Sequence, residues 1–545
     1  MVGIKPVAAL AATMFALQFW QATHGGLTAD EPNHMLASHF YWTAPNVFPE
    51  TDLAPLLKIV TGWRASQIPP PDDPRWKAHR EWIAAGAYFV DLKDPYLHDL
   101  TTAFRLPVLI FPLLTLFLIW HWARGDCGPA PALLAAAAFA FEPTALAHGS
   151  LVKNDIAAAC AYAAFWYAAD RRNMLLLTLA TLAGILAKLS LIVLAVIAPI
   201  IILTRPQRIK HLAVFAVTVY AGLCAAYQFD TRILHPIEIQ HKFADPAIPY
   251  AFTWIAQLFQ WLPIPADFWS GCVSLLHSSA ERPPIYLNGE IFHQAQPLYS
   301  LTALAVKVPI GLLLAIAAGT VVAIRERRMF LLFPPLLYIA LASLSGHQLG
   351  IRLIIPALPF GALLVARLAK AHLKTATILI ALAAAESLAR FPHGIAFFNL
   401  AAGGPDNGLR YLADSNLDWG QDLPALKTWA KSNNVEEFRL SYFGGDVPWR
   451  HFWDQKVRPI VPPDNDALAK GITIYEPAPE LHAISASLLH GACFPPKYKD
   501  FYRRFREMRP TAKAGYSIFI YDLRNRPVPT PPAPSAAPPT PAPKP

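Results

Sequence analysis

The chain has 545 residues, of which 54% are hydrophobic and only 15% charged. A soluble domain carries roughly 25% charged residues, so the deficit excludes an ordinary water-soluble fold for most of the chain. The net charge of +9 does not point to nucleic acid, because the basic residues sit in short loops between apolar runs, where membrane topology accounts for them.

The first apolar run, Val2–Ala22, has Lys5 near its start and no small-residue cleavage site, and reads as a retained helix. Ten further apolar segments follow: Ala103–Ala123, Pro131–His148, Ile156–Ala169, Met174–Ala187, Leu191–Leu203, His211–Gln228, Leu301–Ile324, Met329–Ser345, Leu353–Leu368 and Thr375–Phe391. Several reach the roughly 17–25 residues of a membrane helix, which predicts about eleven spans. Met174–Leu203 reads as two helices turning at Lys188-Leu189-Ser190. With that turn, Arg124, Asp170-Arg171-Arg172, Arg205–Lys210, Arg325–Arg328 and Lys370–Lys374 share one side. The positive-inside rule makes that side cytoplasmic, with the N-terminus inside and the C-terminus outside.

This topology predicts a transmembrane region over 1–391 with large outer loops at 23–99 and 229–300. An external region follows over 392–526, then a disordered Pro/Ala-rich tail over 527–545. Trp254, Phe259, Trp261, Phe268 and Trp269 give the second outer loop the aromatic, weakly charged character of a membrane interface. In the external region, Val435–Phe443, Gly471–Tyr475 and Tyr516–Leu523 read as strands, and Leu423–Lys431 and Pro479–Leu489 as helices. The fold class is therefore mainly α, a polytopic membrane protein with a small external α/β domain. Of the five cysteines, only Cys272 and Cys493 fall in outer segments, so one disulfide is compatible with the topology.

The chemistry-bearing residues gather on the outer side. Asp30-Glu31 follows the first span within a few residues; one carboxylate can take a proton from a hydroxyl while its neighbour orients it. Alone, the dipeptide reads equally as a solvated helix end before Pro32. Asp155 lies at the outer end of the fourth span, and Glu142-Pro143 and His148 approach the same face. Arg105, Lys188 and Arg352, the last following His347, also face outward. Such cations can stabilise a departing phosphate, although each can instead pair with a carboxylate or snorkel. Lys307 reads as structural. Asp414-Ser415-Asn416-Leu417-Asp418-Trp419-Gly420-Gln421-Asp422 is the most distinctive string; it reads either as a capped turn before a helix or as a sugar-contacting segment.

In order along the chain, these motifs resemble the lipid-carrier-dependent glycosyltransferases of the GT-C fold. The likeness is to the protein O-mannosyltransferase and aminoarabinose-transferase group, in the manner of glycosyltransferase family 39. It covers roughly Met1–Phe391. It rests on Asp30-Glu31, Arg105-Leu106-Pro107, Leu151-Val152-Lys153-Asn154-Asp155 and Gly184 through Lys188-Leu189-Ser190. It continues with Tyr286 through Glu290, Val306-Lys307-Val308-Pro309, and His347 through Arg352 to Pro359. The Gly403-Gly404-Pro405 and Asp414–Asp422 strings look like a bacterial subgroup. Two places depart: Asp52-Leu53-Ala54-Pro55-Leu56 stands where relatives carry His-Pro-Pro-Leu, and Lys153-Asn154 where small hydroxyl residues are common.

The resemblance implies inverting transfer of a mannose-like hexose or modified pentose from a polyprenyl-phosphate donor. The acceptor would be a hydroxyl of a protein, lipid or glycan, outside the inner membrane. It implies Asp30 as base, with Glu31 and Asp155 shaping the acidic site or holding a divalent metal; related branches differ on metal. Arg105, Lys188, Arg352 and His347 would bind the lipid phosphate. Asp414, Asn416, Asp418, Trp419, Gln421, Asp422 and Glu290 would recognise sugar or acceptor. Two other classes share the apolar spans. A transporter or lipid flippase would show paired repeats and broken helices at mid-membrane. A non-catalytic envelope assembly protein would tolerate changes at Asp30 and Asp155.

Overall fold

The structure is a computed structural model that describes residues 4–43, 53–65, 94–229, 264–281, 283–460 and 471–525. Asp52, Trp254, Phe259, Trp261 and the Pro527–Pro545 tail lie outside the described residues.

Among the described residues, the first two thirds of the chain is mainly helical. Among the described residues, Asp99–Cys127, Arg208–Ala226 and Ile351–Ala371 are each long and apolar enough to cross a bilayer. Tyr299–Lys307 and Ile310–Arg325 would make a fourth as a pair. The segment expected as one span, Leu301–Ile324, is thus broken: Val308-Pro309 interrupts it and the helix direction bends by 119° between the halves. Proline cannot donate to the preceding turn, and here it starts the second half instead. The expected span Pro131–His148 is likewise split, into Pro129–Ala140 and Pro143–His148, with Glu142 accepting from Ala145 N–H at 2.6 Å as N-cap. Met174–Ala187 ends at an extended Lys188, and Val193–Leu203 packs back against it, so the chain does turn there.

Close packing comes from small residues. The alanine-rich Pro129–Ala140 helix lies against Ile110–Cys127 and Leu358–Ala371. A Cβ added at Gly319 would sit 2.1 Å from the Leu364 carbonyl oxygen, so only glycine lets those helices meet. Ile209, Val217, Val196, Leu314, Leu336 and Ile378 meanwhile point outward from five different helices. An apolar exterior of this extent suits lipid rather than water.

The basic loops meet at one end of this bundle. Arg171 and Arg367 both bond Asp126, at 2.6 and 2.8 Å, and Arg367 and Lys370 reach Glu326 at 3.2 and 3.7 Å. Met174–Ala187 starts beside that end and carries the chain about 21 Å, at 1.5 Å per residue, to Lys188.

The C-terminal region holds a five-stranded mixed sheet in the order β4-β3-β5-β7-β6. The strands are β3 (Glu437–Ser441), β4 (Lys456–Pro459), β5 (Leu481–Ser485), β6 (Ala512–Ala514) and β7 (Ile518–Asp522). β3 runs parallel to both β4 and β5, and β7 antiparallel to β5 and β6. Leu423–Ser432 packs Leu423, Leu426 and Ala430 against Phe438, Leu440 and Ile520. Two expectations are corrected. Pro479–Leu489 is not one helix but β5 followed by a short helix at Ala486–Leu489; all five β5 residues are buried, so no alternation marks the strand. Gly471–Tyr475 forms no strand; Tyr475 instead packs on Phe501 and Phe505. Cys272 and Cys493 are both free. A second, two-stranded sheet pairs β1 (Ile285–Leu287) with β2 (Glu290–Phe292).

Candidate active site

Asp30 and Glu31 are adjacent in sequence but face opposite environments. Glu31 is fully buried and accepts five hydrogen bonds: from Thr28 N–H and Oγ1 at 2.9 and 3.2 Å, Arg105 Nε and Nη2 at 2.7 and 2.6 Å, and Val152 N–H at 3.0 Å. Thr28-x-x-Glu31 is a capping-box spacing, with the glutamate reaching back to the threonine amide. Arg105, 1% exposed, gives its other N–H groups to the Ala22, Gly25 and Gly26 carbonyls. The pair therefore ties the first helix, the loop after it and the 151–155 segment together. Arg105 has no donor left for phosphate, and Glu31 no lone pair left for an acceptor. In this arrangement Arg105 and Glu31 spend their polar atoms on each other and on backbone. Removing one partner of a buried pair costs about 3–5 kcal/mol. Glu31→Gln should accordingly lower the thermal midpoint and the folded yield. A fully stable Glu31→Gln that had lost catalysis would return Glu31 to the chemistry.

Asp30, with a third of its side chain exposed, bonds Lys153 Nζ at 2.6 Å and lies 3.7 Å from Arg352 Nη1. Burial alone would raise its carboxyl, but Lys153, Arg352 and His34 outweigh burial and hold it well below the usual carboxylate range. His34 Nδ1 donates to the Val152 carbonyl at 2.9 Å and Nε2 accepts from Lys153 at 3.3 Å. Burial, aided by the Lys153 charge, pushes His34 down to about 3, so it stays neutral.

Asp155 opens the Asp155–Asp170 helix, where a carboxylate complements the helix dipole. Its side chain is fully buried; Oδ1 accepts from Lys188 Nζ at 2.5 Å and Oδ2 lies 3.9 Å from Arg352 Nη1. Arg352 thus bridges both aspartates. Lys153, Asp155, Lys188, His347 and Arg352 line one cavity of about 330 Å³, whose other wall is apolar, with Val193, Leu275, Tyr338 and Leu341. His347, pushed by burial down to about 4, is a neutral member with its Nδ1 buried and unbonded among the described residues.

Carboxylates do not gather into a metal set. Asp30, Glu31 and Asp155 each face a cation, and no three His, Cys, Asp or Glu side chains cluster as metal ligands among the described residues.

The Asp414–Asp422 string reaches beneath this cavity and holds Arg352. Ser415 Oγ accepts from Arg352 Nε at 3.0 Å and donates to the Leu349 carbonyl at 2.8 Å. The Trp419 ring, 2% exposed, lies 4.6 Å from the Arg352 guanidinium carbon and 5.9 Å from Lys153 Nζ. Asn416 caps Ile351 N–H at 2.9 Å and donates to Tyr299 at 3.1 Å. Asp418 accepts from Ser487 N–H at 2.7 Å, Gln421 from Trp419 N–H at 2.8 Å, and Asp422 from Ser517 Oγ at 2.7 Å. These side chains bond backbone and one another, and so clamp the helical region to the sheet. Asp414 sits half-buried beside Arg352, with burial raising its carboxyl. Lys307 is structural, donating to the Ile395 and Asn416 carbonyls at 2.7 and 2.5 Å. Glu290 is exposed on β2 and does not line the cationic cavity.

Burial raises Asp418 to about 7 and Asp422 to about 8. An unfolded carboxyl titrates near about 3.9, so the folded state holds the extra protons. The stability this contributes is complete below about pH 4 and is lost as pH rises through 7 and 8. Thermal midpoints should fall from about pH 6 to about pH 9, and Asp422→Asn should flatten the fall. A slope unchanged by that substitution would contradict the clamp's protonation state.

Sequence reasoning missed Lys153, set down only as a departure, and His34. The spacing that reveals both is Asp30-x-x-x-His34, one helical turn, with Lys153 two residues before Asp155.

No family model matches the chain, and no curated protein matches it. Among solved structures it is similar to ArnT from Cupriavidus metallidurans bound to undecaprenyl phosphate, at 11% identity and a TM-score of 0.41, over 95% of this chain and 98% of that one. It is also similar to the same protein in the apo state, at 14% identity and a TM-score of 0.31, over 94% and 97%. At such identities it is this chain's own side chains that carry a functional reading.

Proposed function

We propose that the protein is a membrane glycosyltransferase that takes a hexose or modified pentose from a polyprenyl-phosphate donor and passes it, with inversion, to an acceptor hydroxyl on the outer face. The observation that carries this reading is the single cavity in which Lys153, Lys188 and Arg352 converge opposite an apolar wall. A phosphate on an isoprenoid chain needs that combination: cations at one end and hydrocarbon at the other. The basic loops joined through Asp126 and Glu326 support a cytoplasmic face at the opposite end, and with it an N-terminus inside and a C-terminal region outside.

In this reading Asp30 is the base. Its carboxyl is held low by Lys153 and Arg352 against the opposing effect of burial. A donor phosphate competes for those two cations and so relieves their hold, which makes Asp30 a stronger base when the donor is in place. Asp155 keeps Lys188 aimed into the cavity, and Ser415 and Trp419 keep Arg352 there. The leaving lipid phosphate then departs with its new charge facing three cations.

The test is a panel of polyprenyl-phosphate sugars offered to the purified full-length protein, with mass detection of released lipid phosphate. Turnover of at least one sugar class is expected. Release from none, with transport of the intact lipid across a bilayer, would establish the flippase reading instead.

A further inference from the structure

A second recess, of about 610 Å³, lies between the β1–β2 hairpin and the C-terminal region. Its size falls within the roughly 300–1,000 Å³ of small-ligand sites. Tyr286, Glu290 and His293 line it from the hairpin, and His490, Lys499 and Arg506 from the other side.

His490 is its preorganised group. The residue is 7% exposed, and Nδ1 accepts from Ala492 N–H at 2.9 Å, which places the ring proton on Nε2. Nε2 is buried and has no hydrogen-bond partner among the described residues. A buried N–H without an acceptor is uncommon, and it is met most simply by a ligand oxygen. Burial pushes His490 down to about 3, so it offers a neutral donor throughout the physiological range. Tyr286 lies against it with ring centroids 4.6 Å apart, and is fixed by donating to the Leu409 carbonyl at 2.7 Å.

The charges around the recess balance. Arg506 is engaged by Asp500 at 2.5 Å and by the Leu489 and Lys499 carbonyls, both at 3.1 Å. Exposed Glu290 and Lys499 offset each other. The recess therefore has no preference for an anion, unlike the cationic cavity. One recess is thus lined by a fixed N–H donor, a carboxylate acceptor and aromatic surface. A sugar hydroxyl both donates and accepts, and so matches that alternation, which neither phosphate nor an apolar chain does.

The hairpin is also joined to the segment that holds Arg352. Leu287 bridges Leu412, and Asn288 N–H donates to the Tyr411 carbonyl at 2.8 Å, a few residues before Ser415.

We propose that this recess is a binding site for a neutral carbohydrate, with His490 Nε2 donating to one hydroxyl and Glu290 accepting from another. That this carbohydrate belongs to the acceptor rests on the glycosyltransferase reading; the binding itself does not. The experiment is saturation-transfer NMR on the full-length protein in detergent, with maltotriose and methyl α-mannoside as probes and inorganic phosphate as competitor. At least one sugar binds. Glu290→Gln, an exposed change without folding cost, and His490→Phe each weaken that binding by about fivefold, the loss of one net hydrogen bond. Arg352→Ala, which slows transfer by about 10²–10³-fold, leaves it intact, so the two readings fail separately. Absence of binding by either sugar, binding indifferent to both variants, or displacement by phosphate overturns the proposal.

Discussion

Asp30→Asn lowers the rate of sugar transfer by about 10²–10⁴-fold, the usual contribution of a positioned general base. The substitution keeps the shape of the side chain and removes its proton affinity. It also frees Lys153, 2.6 Å away, and Arg352, 3.7 Å away, from their carboxylate partner. Donor affinity should therefore hold or rise while kcat collapses, a split that a folding defect does not produce. Folding has no reason to suffer, because a third of the Asp30 side chain is exposed and Glu31 carries the buried contacts. Steady-state kinetics over a range of donor concentrations measure both parameters. An unchanged kcat would remove Asp30 from the chemistry and leave Asp155 as the remaining carboxylate of the cavity.

Arg352→Ala is the second large effect. Removing one preorganised charge donor from a developing anion costs about 10²–10³ in rate. Here the loss is compounded, because Arg352 is also the group that bridges Asp30 and Asp155. Binding of a sugar-free polyprenyl phosphate should weaken together with turnover, and calorimetry on the detergent-solubilised protein reads it. Arg352→Lys keeps the charge but loses the Nε bond to Ser415 and the planar stack on Trp419, so it should recover only part of the activity. Full recovery by lysine would mean that charge alone matters and that the Asp414–Asp422 clamp has no part in aiming the cation.

Much of this arrangement was legible in the sequence, and the rest was hidden for identifiable reasons. Loop charge placed Asp30, Asp155, Lys188 and Arg352 on one side, and the structure brings these four together. The turn at Lys188 was readable because one continuous helix would have scattered the basic loops. Arg105 was ambiguous because an outward-facing cation looks the same in sequence whether it serves a ligand or a neighbour. Only the fold reveals that Glu31 and three carbonyls use all its donors. The Asp414–Asp422 string was ambiguous in a similar way. Its residue types are those of sugar sites, but they are equally those that satisfy backbone groups in a buried, irregular crossing. β5 escaped because a strand buried on both faces loses its alternation. Lys153 escaped because it was measured against a pattern that it does not follow, although its charge is what joins Asp30 to the cavity.

In the proposed function the three cations of the cavity receive the phosphate of a lipid-linked sugar while Asp30 activates the acceptor. It is tested most directly by counting products in proteoliposomes supplied with the donor that the panel identifies. The account predicts one lipid phosphate released for each sugar transferred by the wild type, and neither product above background from Asp30→Asn. Equal movement of intact donor across the bilayer by both proteins, with no lipid phosphate formed, would contradict it.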